Sequence, residues 1–229
     1  MPAICDIMCY HFRLPRKGRG KGLEINIIAA FTAIISYLLF KYKAVNLRYI
    51  QFMGCFMSVF IAIQFSEAVK DGLMDTVSRL KECSGGNFTR RENLHLTLAF
   101  LGEVRSPLGA IRAMEVVSAT PFELILERLG MFHRDGGSIV WEGVRITATL
   151  TALHKQLTDN LAAEGFIPEI RPFRPHLTLV READVDSDNL DVLSKNTPRL
   201  KSTVTCISLM KSELIRGILT YKEIYRKDF

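Results

Sequence analysis

The sequence predicts an α+β fold built mainly from antiparallel sheet. Three observations carry that expectation. From Met57 onward, strand-length apolar or alternating blocks make up most of the chain. Between them lie three stretches that place apolar residues at helical spacing. The tetrapeptide HLTL occurs twice, at His95 and at His176, each time opening a strand-like block that follows a strand–helix unit.

The elements follow in order. "SVFIAIQF" is an apolar run of strand length, and Ser66 after it is a candidate helix N-cap. Val69, Leu73, Val77 and Leu80 recur at spacings of four and three, giving an amphipathic helix that closes at Ser84-Gly85-Gly86. "LHLTLAFL" is a strand. Ser106-Pro107 opens a second helix, with proline where no amide donor is missed. Phe122, Leu124 and Leu126 alternate as a strand, and "SIVWEGV" reads as another. Leu150, Leu153, Leu157 and Leu161 mark a long helix ending at Gly165, followed by the strand "HLTLV". "KSTVTCISLMKSEL" and "GILTYKEIYR" form a closing hairpin around Arg216-Gly217. The predicted order is β-α-β-α-β-β-α-β-β-β.

Charge divides the 229 residues unevenly. Residues 1–56 hold eight Lys and Arg against two acidic residues, whereas residues 57–229 hold 22 of each sign. The overall +6 belongs to the first quarter of the chain, so a general basic field does not mark the rest as nucleic-acid binding. Five scattered cysteines, without a CxxC pair, fit a reducing and cytoplasmic setting better than a disulfide framework. Cys5 and Cys9 have no second ligand pair nearby, which argues against a metal there.

The first 56 residues differ in kind. "RLPRKGRGKG" leads into Ile25–Phe40, where thirteen of sixteen residues are apolar and none is charged. A spanning helix needs ~20 such residues. Three readings stand: a short membrane anchor through residues 24–42, a packed accessory helix, and an upstream extension outside the working domain. "MSVFIAIQFSE" at Met57 has the character of a domain start and favours the last, with residues 57–229 as the working, monomeric domain.

In a strand, alternate side chains share a face. His95 and Thr97 therefore point one way, while Leu96, Leu98 and Phe100 point into a core. His176 and Thr178 are set likewise against Leu177 and Leu179. A lone HxT on a strand is usually a half-exposed polar face. Two copies with the same apolar backing, in a chain of five histidines, point to chemistry across a cleft. Zinc would need further converging ligands, and the available recruits, His133 and His154, bring no Cys, Asp or Glu at ligand spacing. No metal or cofactor is expected.

"NLHLTLAFLGEV" and "FRPHLTLVRE" resemble the paired HxTx motifs of the 2H phosphoesterases, in their RNA 2′,3′-cyclic phosphodiesterase (2′-5′ RNA ligase) branch. The likeness runs from Met57 to about Tyr225 and takes in "VFIAI", "GGSIVWEGV" and "SLMKSEL…YKEIY". It implies a bilobal fold of duplicated antiparallel sheets, helices outside, around a central cleft. It also implies that His95 is the proton donor and His176 the acceptor, on RNA ends or nucleosides bearing a 2′,3′-cyclic phosphate. The product would be a 2′-phosphomonoester, and the resemblance also implies reversible 2′-5′ RNA ligation. The leading 56 residues have no counterpart in the family, and "TRREN" stands where it commonly has a proline-containing turn.

The side chains suit that chemistry independently of the name. Imidazole, with a reference pKa of ~6.5, can give or take a proton at neutral pH. Thr97 and Thr178 can donate to non-bridging phosphate oxygens without a metal. Arg181 matches a family arginine and, like Arg174, is a candidate phosphate ligand; a surface ion pair is the alternative for each. Phe60 and Trp141 can stack a base, although core packing is the plainer role. A reading from another class is a non-catalytic, membrane-tethered module that holds a nucleotide in the same cleft.

Overall fold

The computed structural model describes residues 56–167, 169 and 171–229. The apolar segment Ile25–Phe40, its basic flanks, and Cys5 and Cys9 lie outside the described residues. In chain order the elements are β1 (Met57–Gln64), α1 (Glu67–Cys83), β2 (Asn87–Phe88), a 3-10 turn (Arg91–Asn93), β3 (His95–Val104) and α2 (Leu108–Glu115). They continue with β4 (Phe122–Phe132), β5 (Ser138–Val144), α3 (Ala148–Ala163), β6 (His176–Ala183), α4 (Ser187–Asn196), β7 (Leu200–Val204), β8 (Cys206–Ile215) and β9 (Ile218–Asp228).

The strands form two antiparallel sheets, the first in the order β3-β1-β8-β9 and the second in the order β2-β6-β5-β4-β7. One continuous apolar core joins them, with Ile61, Leu96 and Leu209 from the first sheet and Leu124, Val140 and Leu177 from the second. The α1 helix connects strands of the first sheet yet packs toward the second: Gly72 approaches Leu200 of β7, and Arg79 donates to the carbonyl of Asn196 at 3.0 Å. The α3 helix connects strands of the second sheet and packs on α2, where Asn160 donates to the carbonyl of Ala113 at 3.2 Å. Each lobe's crossover helix thus ties it to the other lobe.

Local signals explain the helix ends. Ser66 Oγ accepts from the amide of Val69 at 3.4 Å, and Thr147 Oγ1 accepts from Leu150 at 3.2 Å. Past α3, Gly165 takes φ +86°, and the amide of Phe166 returns to the carbonyl of Leu161 at 3.0 Å. The β8–β9 hairpin turns at Arg216 and Gly217, both with positive φ, as a two-residue turn demands.

Three expectations need correction. "KSTVTCISLMKSEL" is two strands: β7 pairs with β4, the chain breaks at Thr205, and β8 pairs with β1 and β9. β7 buries alternate residues and β8 buries Ile207, Ser208, Leu209 and Met210 in succession, a change that the residue types alone do not mark. The α4 helix and the two-residue β2 are additional elements; α4 buries only Leu190, too little for a legible apolar stripe. Phe100 does not enter the core and is 69% exposed. The register of β3 against β1 slips twice, so that Leu98 and Leu101 have no partner residues on β1. Each bulge inverts the alternation, and Phe100 turns out.

Candidate active site

The two HLTL copies occupy equivalent places. His95 is the first residue of β3 and His176 the first of β6. Each faces the end of an antiparallel neighbour, Gln64 of β1 and Gly143 of β5. Two residues on, Thr97 lies opposite Ala62 and Thr178 opposite Trp141. The leucines between them, Leu96, Leu98, Leu177 and Leu179, are buried and pin both strands to the core.

The imidazoles are held in the same way. Nδ1 of His95 lies 2.7 Å from the carbonyl oxygen of Asn93, and Nδ1 of His176 lies 2.7 Å from that of Arg174. A carbonyl only accepts, so each Nδ1 carries the hydrogen and each Nε2 is left with its lone pair. Nε2 of His95 stands 3.0 Å from Thr97 Oγ1, whose hydroxyl donates to it.

Aromatic rings back both sites. Phe60 packs 4.8 Å from the His95 ring, and Tyr221 meets the same imidazole edge-on at 5.1 Å. On the other sheet, Phe132 meets His176 edge-on at 5.2 Å, and Trp141 lies 6.0 Å away. Phe60 is buried in a small cluster with Ala62 and Met210, against which Tyr221 packs. Trp141 lies against Gly130, where a Cβ would come within 2.4 Å of the indole. Both rings pack beside the histidines on the same sheet faces, which is the packing role.

A cleft of about 1120 Å³ is lined by His95, Thr97, His176, Thr178, Arg181 and Arg174 together. The fold therefore gathers all six sequence-predicted site residues on one surface. Burial pushes the His95 imidazole down to about 4, against the bond to Asn93, and the positive charge of Arg181 lowers it further. Burial raises the Tyr221 phenol, while Arg181 opposes that shift. Arg181 belongs to β6, yet its charge acts on two residues of the opposite sheet. Among the described residues, no carboxylate forms an ion pair with Arg181 or Arg174.

His133 and His154 also line the cleft, but in different settings. His154 stacks flat on Phe173, with centroids 3.8 Å apart and planes at 13°, and burial lowers its pKa. His133 Nδ1 lies 3.4 Å from Ser138 Oγ. Among the described residues, no three His, Cys, Asp or Glu side chains converge as a metal site would require. No helix among them is long and apolar enough to cross a membrane.

Sequence reasoning passed over Tyr221, Phe132, Arg134 and Phe100, all of which line the cleft. Tyr221 stands in a run that alternates acceptably in either register, so nothing marks its face. Phe132 and Arg134 flank the β4–β5 connection, whose conformation decides where they point. Glu142 was also unmarked: it is fully buried on β5, with neither carboxylate oxygen hydrogen-bonded, and burial raises its pKa to about 7.

Comparison with known proteins agrees with this geometry. The 2′-5′ RNA ligase superfamily profile matches residues 69–215. An RNA 2′,3′-cyclic phosphodiesterase of Thermotoga maritima is 34% identical over 181 residues, 76% of this chain and 96% of the relative. One of Methanothermobacter thermautotrophicus is 32% identical over 183 residues, 73% of this chain and 97% of its own. The crystal structure of E. coli LigT complexed with 3′-AMP superposes with a TM-score of 0.63 at 28% identity, covering 76% of this chain and 98% of that one. With two antiparallel sheets, a histidine at the head of a strand in each, and a profile match across most of both lobes, the chain belongs to the 2′-5′ RNA ligase superfamily.

Proposed function

We propose that the protein hydrolyses RNA 2′,3′-cyclic phosphate termini to 2′-phosphomonoesters, with His95 and His176 as the acid–base pair. The observation that carries this reading is the duplicated placement of two imidazoles in one cleft, each fixed through Nδ1 to a backbone carbonyl two residues upstream. A water oxygen attacks phosphorus while one imidazole takes its proton. The bond from phosphorus to the ribose 3′ oxygen breaks, and the other imidazole protonates that oxygen. The phosphate stays on the 2′ oxygen. Each such proton transfer is worth about 10²–10⁴-fold.

Thr97 and Thr178 would donate to the non-bridging oxygens, and Arg181 would neutralise their charge. The family resemblance makes His95 the donor and His176 the acceptor. Because burial and Arg181 keep His95 neutral near pH 7, the donor role requires a proton taken up with the anionic substrate. Binding sets negative charge against the guanidinium and so favours protonation of the neighbouring imidazole.

Residues 57–229 act as the working domain in this reading, and the RNA end is its partner. The relatives named above are cyclic phosphodiesterases, which supports hydrolysis over a merely binding cleft. With a 5′-hydroxyl in place of water as the nucleophile, and the 3′ oxygen leaving as before, the same pair would form a 2′-5′ link. The test is incubation with an oligonucleotide ending in a 2′,3′-cyclic phosphate. Formation of a 2′-phosphomonoester supports the reading, and an unaltered end refutes it.

A further inference from the structure

The cleft is larger than one small ligand requires. Pockets that enclose a single such ligand reach ~1,000 Å³, and this one is about 1120 Å³. Besides the histidines, its lining includes Phe100 and the stacked pair of His154 and Phe173. None of these three serves the acid–base chemistry. Phe100 is a large apolar ring left 69% exposed by the bulges of β3. His154 and Phe173 present a flat, uncharged π surface, since burial disfavours the imidazolium.

Arg174 stands in the chain between Phe173 and the reaction-centre His176. It follows Phe173 directly, precedes His176 by two residues, and lines the cleft without an ion-pair partner among the described residues. A guanidinium there suits a second phosphate, one linkage away from the reacting one. Aromatic rings beside a lone cation are the means by which proteins hold single-stranded nucleic acid.

We propose that the arm of the cleft formed by Phe100 and the His154–Phe173 stack is a subsite for the base of the nucleotide preceding the cyclic phosphate. Arg174 holds the phosphate between the two nucleotides. The preferred substrate is then an RNA strand of at least two nucleotides, not a free cyclic mononucleotide. This rests on the hydrolase reading above and specifies its substrate.

The experiment compares kcat/KM for a trinucleotide ending in a 2′,3′-cyclic phosphate with that for the cyclic mononucleotide. The wild-type ratio should favour the trinucleotide at least tenfold, and Phe100→Ser and Phe173→Ala should each reduce it by about fivefold or more. Phe100→Ser is the safer variant, because its ring is exposed. Arg174→Gln should lower the slope of log kcat/KM against log salt for the trinucleotide by about 0.7. A wild-type ratio near one, or equal losses on both substrates in the two aromatic variants, overturns the subsite. If neither substrate is opened, the hydrolase reading fails, and the same ratios measured as Kd by fluorescence anisotropy still decide the subsite.

Discussion

Arg181 of β6 and His95 of β3 stand on different sheets, yet the guanidinium acts on the imidazole across the cleft. Burial is the larger reason that His95 titrates near 4, and Arg181 adds to it. Each HLTL strand thus supplies a histidine, while the second strand also supplies a charge that adds to the lowering of the first histidine's pKa. The duplication is symmetric in backbone and asymmetric in electrostatics.

His95→Ala and His176→Ala should each lower kcat by about 10²–10⁴-fold while the far-ultraviolet circular dichroism is retained. Thr97→Val and Thr178→Val should cost about 10- to 100-fold, because a hydroxyl positions and donates but transfers no proton. A folded histidine variant with near-normal turnover would remove that residue from the mechanism.

Arg181→Gln should lower kcat/KM by about 10- to 100-fold, as expected for loss of a charged hydrogen bond to phosphate. It should also raise the pKa of His95, since a lowering influence is gone. Titration of the histidine ring protons by NMR reads this directly. An unmoved His95 resonance would show that burial alone sets its pKa.

The donor role of His95 predicts proton uptake on binding. Between about pH 4 and 6.5 the imidazole is neutral in the folded protein but would charge in an unfolded chain. Binding of a diester analogue with one fixed negative charge should draw a proton onto it in that range. Calorimetry in two buffers of different ionisation enthalpy measures the uptake. Zero uptake would leave His95 as the base and exchange the two roles.

Glu142 predicts a loss of stability as pH rises from 4.5 to about 7, opposite in sign to the contribution of His95. Its folded pKa is about 7 against a reference of 4.5, so the unfolded chain releases the proton first. The protein is relieved of this cost below pH 4.5, loses stability as pH rises toward 7, and bears the full cost above it. The difference is about 3 kcal/mol. Glu142→Gln should remove this fall and leave the rise with pH that the depressed His95 contributes, read in urea melts between pH 5 and 7. An unchanged slope would show that Glu142 finds a partner in solution.

A shortened protein beginning at Met57 should fold and keep its activity. Every core residue found among the described residues lies between Val59 and Met210. Removing residues 1–56 also takes away a sixteen-residue apolar run, a solubility hazard when exposed. Precipitation or lost activity of the shortened protein would make that segment part of the domain. Membrane fractionation of the full chain, absent in the shortened one, would make it an anchor.

The chemistry was more legible in the sequence than the shape of the cleft. HLTL carries its own register: a histidine and a threonine two apart must share a face, and the leucines between must bury. The helices α1 and α3 were readable because four leucines or valines each mark one stripe. What escaped depends on events that leave no residue signature. Two bulges re-aimed Phe100, a sheet change at Thr205 divided an even pattern, and Tyr221 acquired its place from β8–β9 pairing. Glu142 contradicts the alternation on β5 only if its neighbours are known to be wholly apolar.

Two histidines opening a cyclic phosphate without a metal should leave a clear signature. The most direct measurement is turnover of a cyclic-phosphate-ended oligonucleotide in excess EDTA, with the position of the product phosphate determined by 31P NMR. A full rate, a 2′-phosphomonoester product, and near-complete loss in both His95→Ala and His176→Ala are expected. Activity abolished by EDTA and restored by zinc, or a product carrying its phosphate at the 3′ oxygen, would contradict the two-histidine mechanism.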